Sequence, residues 1–450
     1  MRDYFIRRFL LIPPTLLGVT FLAFLVTRMV PGGPMERALQ EAQKASEGGG
    51  SGGGAQVSGG LSEDQIEELE EEFGYDKPGP IAYLQWLGAL PRERRISKAE
   101  FRELASDKIG GSVVKDFDNE TIVVLKGTGR EALITRDGDK VTLATYVDNG
   151  KPIADDGWKV RIQTIDERKQ RWAKRNKKDI ADAPDNYDDR AIAYKTRFGG
   201  VLQGNLGRST KFGDPVISMV LERMPIAIYF GLLTAIISYS VCLPLGILKA
   251  IKHRTVIDNL TSVLIFIGYA IPGFALGAIL LVYLGARNQL FPMFGLTSPD
   301  FSEMGLGEKL FDLAHHTALP LTCYVIGSFA LLTMMMKNNL MDNLANDYVR
   351  TAVAKGASFR RAVFKHAFRN SFIPIASTIG QLITILVTGS MLIESVFDIQ
   401  GFGLLQLQAL HDQDQTVIMG TLIIAATLLI IGNILSDLIV ALIDPRVKFH

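Results

Sequence analysis

Six long runs of apolar residues constrain this chain more than any other feature of it. They cover approximately residues 9–30, 226–248, 260–284, 318–336, 372–393 and 417–443. A bilayer crossing needs about 20 mostly apolar residues, because the hydrocarbon core is roughly 30 Å thick. Each run is long enough, and each can satisfy its backbone hydrogen bonds internally as a helix, which lipid demands. A single soluble globule, a disordered chain and a disulfide-rich secreted scaffold are all poor fits. Pro13, Pro14, Pro244, Pro272 and Pro374 sit within or near the runs, where membrane helices tolerate kinks that neighbouring helices cover. The first run is too long for the apolar core of a cleaved leader, and Pro31-Gly32-Gly33-Pro34 is not a small-x-small cleavage site. We read it as a retained span.

The charges set the orientation. Lys+Arg number 48 against 47 Asp+Glu, a balance that averages segments on different sides of a membrane and says little about partners. Short loops are more telling. Arg2, Arg7 and Arg8 precede the first run, and Lys249, Lys252 and Arg254 follow the second. Lys337, Arg350, Lys355, Arg360, Arg361, Lys365 and Arg369 follow the fourth, and Arg446 and Lys448 follow the sixth. The opposite short loops hold only Arg287 and Lys309. Both termini are therefore expected in the cytoplasm. The two cysteines, Cys242 and Cys323, fall inside apolar runs, where they read as small buried hydrophobes and do not report the redox compartment.

The long segment between the first two runs is expected outside. Its stretch 47–60, EGGGSGGGAQVSGG, is a flexible linker by composition. In the following 61–78, Ser62 with Gln65 suits a capping box and Leu61 with Ile66 a hydrophobic staple. Ile66, Leu69 and Phe73 share a helical face, Gly74 can end the helix, and the acidic opposite face reads as solvated. Residues 91–197 have the composition of a small soluble α+β domain. Strands are predicted over 121–125, 132–135, 140–147 and 158–165, and a charged helix over 167–178. The basic run 168–178 could suit lipid headgroups or nucleic acid, but with acidic residues close by it reads as a solvated helix face.

No complete catalytic set appears. The chain has no GxxxxGK[ST] phosphate loop, no HExxH and no CxxC. His315 and His316 are adjacent, so they do not face one way on a helix, and a shared metal is not expected there. The informative stretch is 347–374, DYVRTAVAKGASFRRAVFKHAFRNSFIP. It reads as a helix to Lys355, Gly356 as a left-handed C-cap, Ser358 as the next N-cap, and a second, basic helix to Arg369. Its bland reading is a topology anchor; its sharp reading is a rigid projection that docks into another protein.

These residues carry a resemblance. The 347–370 segment resembles the EAA loop of binding-protein-dependent ABC importer permeases, in particular their oligopeptide/dipeptide branch with YVRTARAKG followed by HAxRN. Tyr348, Val349, Arg350, Thr351, Ala352, Ala354, Lys355 and Gly356 fit, as do His366, Ala367, Arg369 and Asn370; Val353 replaces the usual arginine. Tyr4, Arg7, Arg8 and Pro31–Pro34 look like the first of the two paired permeases. Tyr75-Asp76-Lys77-Pro78, Tyr83 and Trp86-Leu87 match its helix region before the insert, and the 204–209 stretch GNLGRS is similar to GDLGxS, with Asn205 replacing the acid. Ile393–Phe397 and Gly401-Phe402-Gly403 match the segment after the fifth span, with Gln400 where proline is common, and Asp444-Pro445-Arg446 matches the C-terminal end. The resemblance covers nearly the whole chain except 91–197, and within its branch the chain is similar to permeases of microcin-C-type peptide importers.

The resemblance implies an all-α polytopic membrane protein of the type I importer permease fold, with six membrane helices and a small α+β extracytoplasmic insert between the first two. The implied segments are 1–30, an extracytoplasmic linker and helix 31–90, the insert 91–197, a re-entry segment 198–225 and a permease core 226–450. It implies no enzyme activity in this chain and no cofactor; ATP and Mg are used by partner subunits. The implied partners are a second permease subunit, two ATP-binding subunits, an extracytoplasmic peptide-binding protein and the lipid bilayer, with no nucleic acid. Tyr348, Arg350, Thr351, Ala352, Lys355, Gly356, Arg360, Arg361, His366, Arg369 and Asn370 would couple to the ATPases. Glu394, at the end of the fifth run, reads either as an outer-mouth group or as a structural hydrogen-bond partner. The insert is expected to be an accessory cap. The alternative reading is a membrane-anchored receptor or regulatory protein whose insert does the work; a secondary transporter is a third, without visible inverted repeats.

Overall fold

The computed structural model describes residues 2–29, 63–101, 108–109, 112–113, 118–185, 187–379 and 389–443. The linker 47–60, the Leu61 and Ser62 capping residues, the side chains of Leu69 and Phe73 and the Asp444–Arg446 motif lie outside what is described. The chain divides into two compact units. One comprises Met1–Pro34 with Leu206–His450, and the other is Met35–Asn205.

The first unit opens with α1 (Arg2–Met29), which keeps Pro13 and Pro14 inside the helix. The inserted unit follows in sequence, with helices α2 (Glu63–Phe73) and α3 (Gly79–Leu87). Its strands β1 (Arg92–Glu100), β2 (Glu120–Val124), β3 (Glu131–Asp137), β4 (Lys140–Tyr146) and β5 (Trp158–Gln163) precede α4 (Ile165–Asn176) and β6 (Arg190–Arg197). They build two antiparallel three-stranded sheets, ordered β1-β6-β5 and β2-β3-β4. Alternate residues from both sheets share one core, including Ala99, Val123, Ile134, Trp158 and Ala193.

Two sequence expectations for this unit are corrected. Strands β1 and β6 were not expected, because RERRISKAE and RAIAYKTR are too charged to read as half-buried strands; yet β6 is the central strand of its sheet. The charges are accommodated by pairing. The acidic face of α2 is solvated only in part, at Glu68, and the basic run of α4 is likewise not wholly solvated. Glu67 and Arg168 are both buried, and Glu67 pairs with Arg168 and Arg190. Glu71 meets Lys98 at 3.0 Å and Arg171 at 3.3 Å, and Glu70 meets Arg175 at 3.6 Å. Period-3.6 patterning marks such faces as polar, but it does not show that two polar faces of opposite sign lie against each other. Burial pushes the Glu70 carboxyl above its usual range, and the adjacent Arg175 and Arg171 oppose that shift.

The first unit resumes with α5 (Val216–Ile251), then α6 (Val256–Ala270) and α7 (Gly273–Leu280), which continues as a π-helical stretch Leu281–Arg287. Next come α8 (Leu306–Ala345), α9 (Asp347–Ala354) and α10 (Phe359–Arg361), and α11 (Phe368–Ala376) follows a π-helical turn Ala362–Ala367. The unit ends with α12 (Met391–Val396), α13 (Phe402–His411) and α14 (Gln415–Ile443). Among the described residues four helices, α1, α5, α8 and α14, are each long and apolar enough to cross a membrane. The expected third span is instead a helix pair bent by 89°. Pro272 has no N–H to give, and it holds Ile271 in extended backbone at φ −91°, ψ 118°, so the helix stops and restarts. The fifth run is described only at its two ends, as α11 and α12.

Apolar side chains such as Leu22, Leu232, Leu264 and Leu331 are exposed along these helices, as expected where lipid is the solvent. Helix pairs close where small residues face each other. A Cβ at Gly246 would lie 2.6 Å from Met336 Cβ and 2.8 Å from the Thr333 carbonyl, so α5 and α8 approach as only glycine permits. Cys242 and Cys323 are buried free thiols in these contacts.

Candidate functional site

The projection between α8 and α11 is built by caps. Asn346, extended at φ −74°, ψ 148°, separates α8 from α9. At the other end of α9 the Ala357 N–H donates to the Ala352 carbonyl at 3.1 Å, and the Gly356 N–H to the Val353 carbonyl at 2.9 Å. Gly356 itself stands at φ +91°, a left-handed position that glycine fills without a Cβ penalty. The Ser358 hydroxyl then accepts from the Arg361 N–H and starts the second helix. The expected helix–glycine–helix is therefore present. The second helix differs from expectation in its π-helical middle, Ala362–Ala367, a wide turn that is frequent at functional sites.

One face of this pair is anchored and the other is open. Val349, Ala362, Val363 and Ala367 are buried against Leu332, Met336 and Leu340 of α8 and Cys242, Ile247 and Ala250 of α5. Outward lie Phe359 at 57 % exposure and Phe364 at 51 %, flanked by exposed Arg350, Lys355, Arg360 and Arg361. Tyr348 and Thr351 are also exposed, while Ala352, His366 and Asn370 are half-buried. The Tyr348 hydroxyl donates to Asn343 at 2.7 Å. Arg369 is turned to the last helix, where its guanidinium donates to the Ile443 carbonyl at 3.1 Å, as a basic group placed at a helix C-terminus does. Among the predicted coupling residues, Arg369 thus has a role within the fold. Phe359 and Phe364 were not singled out in the sequence, although two aromatics among arginines on one short helix were a signal.

A second group behind the projection was not visible in the sequence. Lys249 of α5 and Lys337 of α8, counted above as loop charges, are buried together with Asp258 of α6. Lys337 donates to both Asp258 carboxylate oxygens at 2.8 Å, and Lys249 stands 3.1 Å from one of them. The Lys249 ammonium also donates to the Asp258 carbonyl at 2.9 Å, Thr261 Oγ1 at 3.0 Å and Ser262 Oγ at 2.6 Å. The Arg254 N–H reaches Asp258 at 3.1 Å. Three helices are tied here, one residue from Met336 and Ala250, on which the projection rests. A loop-charge count cannot distinguish a free lysine from one paired inside the bundle.

Glu394 is 2 % exposed. Its carboxylate accepts from the Leu404 N–H at 2.7 Å, the Tyr324 hydroxyl at 3.1 Å and the Ser390 N–H at 3.2 Å. Gly389, Gly401 and Gly403 crowd it; a Cβ on Gly401 would fall 2.6 Å from Glu394 Oε2. Of its two expected roles, the arrangement is that of the hydrogen-bonded anchor. His315 and His316 diverge, with His315 Nε2 at 2.7 Å from the Leu290 carbonyl and His316 Nδ1 at 2.9 Å from the Asp312 carbonyl.

Residues 242–449, which include the projection, Lys337 and Glu394, match the family described as binding-protein-dependent transport system inner membrane component. The peptidoglycan transport system permease protein YejB of Agrobacterium fabrum is 27 % identical over 471 residues, covering 100 % of this chain and 99 % of that protein, the inserted unit included. The inner membrane ABC transporter permease protein YejB of Escherichia coli O157:H7 is 39 % identical over 53 % of this chain and 68 % of its own length. The oligopeptide transport system permease protein AppB of Bacillus subtilis is 32 % identical over 58 % of this chain and 82 % of its own length. The chain belongs to the binding-protein-dependent transport system inner membrane component family.

Proposed function

We propose that this chain is the pathway-forming subunit of an ATP-driven type I importer that takes up oligopeptides or dipeptides handed over by an extracytoplasmic solute-binding protein. The relatives' names, which include peptidoglycan, oligopeptide and dipeptide transport systems, support the substrate class. The proposed assembly has a second permease and two ATP-binding subunits, which bind and hydrolyse ATP with Mg; this chain supplies no catalytic group. Both termini and the α9–α10 projection face the cytoplasm, six helices cross the membrane, and Met35–Asn205 lies outside as an accessory unit. The loop charges motivate that orientation.

One observation carries the mechanism: an aromatic and cationic knob stands on a buried base. Phe359 and Phe364 are exposed on either side of the exposed Arg360 and Arg361 in the sequence, while Val349, Ala362 and Val363 bind the same helices to the bundle. Aromatic and arginine residues are the side chains most enriched at interface centres. A partner that grips Tyr348, Arg350, Thr351, Ala352, Lys355, Arg360, Arg361, His366 or Asn370 moves α9 and α10 as one body, because Gly356 and Ser358 fix the angle between them. Motion of this base is passed to α5 and α8 and switches access between two states. Purification of the chain from its native membrane tests the assembly. Two ATP-binding subunits and a second permease should accompany it, and Phe359→Asp with Phe364→Asp should release the ATP-binding subunits while the second permease stays. Retention of the ATP-binding subunits by that variant would refute the docking role.

A further inference from the structure

The inserted unit holds an open groove of about 1150 Å³ along β1 and the C-terminal end of β6. Its charges are arranged in a way that folding alone does not favour. In the β1–β6 ladder Arg92 lies opposite Arg197 and Arg94 opposite Lys195. Like charges directly across an antiparallel pair repel, and these two pairs recur at the i, i+2 spacing that puts them on one face. The register then breaks between Arg94 and Ser97, and Arg95 sits at φ +56°. A bulge re-aims a side chain, and here Arg94 and Arg95, neighbours that would otherwise alternate, both line the groove.

The acids in the groove are already engaged. Glu68 meets Lys126 at 2.5 Å, Glu71 meets Lys98 at 3.0 Å, Glu93 meets Lys77 at 3.4 Å, and Glu100 meets Arg168 at 2.5 Å. Among the described residues no acid stands within ion-pair distance of Arg94, Arg95 or Arg197, all three exposed. Lys195 lies over the Trp158 ring at 5.0 Å. A residue with positive φ costs backbone energy, and such strain gathers at ligand sites. A concave groove suits a small ligand better than a flat protein face.

We propose that this groove binds a short peptide, or a molecule bearing one, with two or more carboxylates. Guanidinium forks recognise carboxylates bidentately, and the volume admits several residues. The choice of peptide over another oxyanion carrier rests on the proposed import of peptides. The groove would be an accessory binding site for acidic cargo, built wholly from residues of the inserted unit.

Binding of triglutamate, trialanine, trilysine and inorganic phosphate to the full-length chain in nanodiscs, followed by calorimetry, tests this. Triglutamate should bind and trialanine and trilysine should not. Arg94→Gln with Arg197→Gln should weaken triglutamate about tenfold or more, and Arg94→Lys with Arg197→Lys should recover part of that loss. Both positions are exposed, and unchanged tryptophan fluorescence would show that the unit remains folded. Equal affinity for trialanine and triglutamate, insensitivity to the glutamine variant, or phosphate binding as tightly as triglutamate would each overturn the proposal. So would binding of the solute-binding protein through this face without any for triglutamate. Uptake of trialanine by the assembled importer separates the two readings. Trialanine import without triglutamate binding sinks only this site, and triglutamate binding without import of any peptide sinks only the importer reading.

Discussion

Replacing Asp258 with asparagine tests the buried charge group that joins α5, α6 and α8. In the native chain one carboxylate faces two ammonium groups, at 2.8 Å from Lys337 and 3.1 Å from Lys249. Asparagine keeps the shape and removes the charge. Lys249 then retains the residue 258 carbonyl, Thr261 and Ser262. Lys337, 7 % exposed, loses the carboxylate whose two oxygens accept its hydrogen bonds. Leaving a buried charge without its counter-charge costs about 3–5 kcal/mol. The double variant Asp258→Asn with Lys337→Met removes the stranded charge and fills its path with an apolar chain of similar length. It should recover at least about 2 kcal/mol of that loss, since neighbours in one network are coupled by this order. Detergent-titrated unfolding of the purified chain, followed by circular dichroism, measures both. A single variant that unfolds within about 1 kcal/mol of the native chain, or a double variant no more stable than the single, would refute this role for Asp258.

Three further outcomes are expected. Gly403→Ala should destabilise the Glu394 cradle by about 1–3 kcal/mol, because the new Cβ would lie 2.7 Å from the Met391 backbone nitrogen; an unchanged melting curve would count against the cradle. The hydrogen bond from Arg130 holds the Asp148 carboxyl below its ordinary range, so its contribution to the inserted unit is complete above the unfolded value near about pH 4 and is lost as pH falls through the lowered value. All three tryptophans, Trp86, Trp158 and Trp172, belong to that unit, so their fluorescence on heating should show a smaller acid sensitivity in Asp148→Asn. Single cysteines at Ser358 and Gly138 should be labelled from the cytoplasmic and outer sides respectively; the reverse pattern would overturn the proposed import direction.

Much of the membrane unit was legible because apolar length is a one-dimensional property. The caps of the projection were legible too, since Gly356 and Ser358 act on their immediate neighbours. The bend at Pro272 was not, because Pro244 and Pro320 stand inside helices that continue, and only packing decides which proline breaks a span. Gly273 illustrates the point: a Cβ there would fall 2.8 Å from the Cys323 carbonyl, a contact from another helix. Asp258 was hidden for a similar reason, as its partners lie 9 and 79 residues away in sequence. In the inserted unit the central strand β6 carries Arg190, which is buried and donates to Gln163 at 2.8 Å. A strand stabilised by ion pairs gives no alternating apolar signal.

If the α9–α10 pair transmits the ATPase cycle as a rigid lever, Gly356 is the residue on which transmission depends. A Cβ added there meets nothing within 4 Å, so the only penalty is backbone strain at φ +91°. Valine, β-branched, should cost about 1–3 kcal/mol or shift the hinge, whereas asparagine tolerates positive φ better. The measurement is ATP hydrolysis by the reconstituted importer, with and without peptide-loaded solute-binding protein, for native, Gly356→Asn and Gly356→Val chains inserted at equal levels. Stimulation and uptake should fall modestly in the asparagine variant and collapse in the valine variant while basal hydrolysis persists. Full stimulation and uptake in Gly356→Val would contradict it.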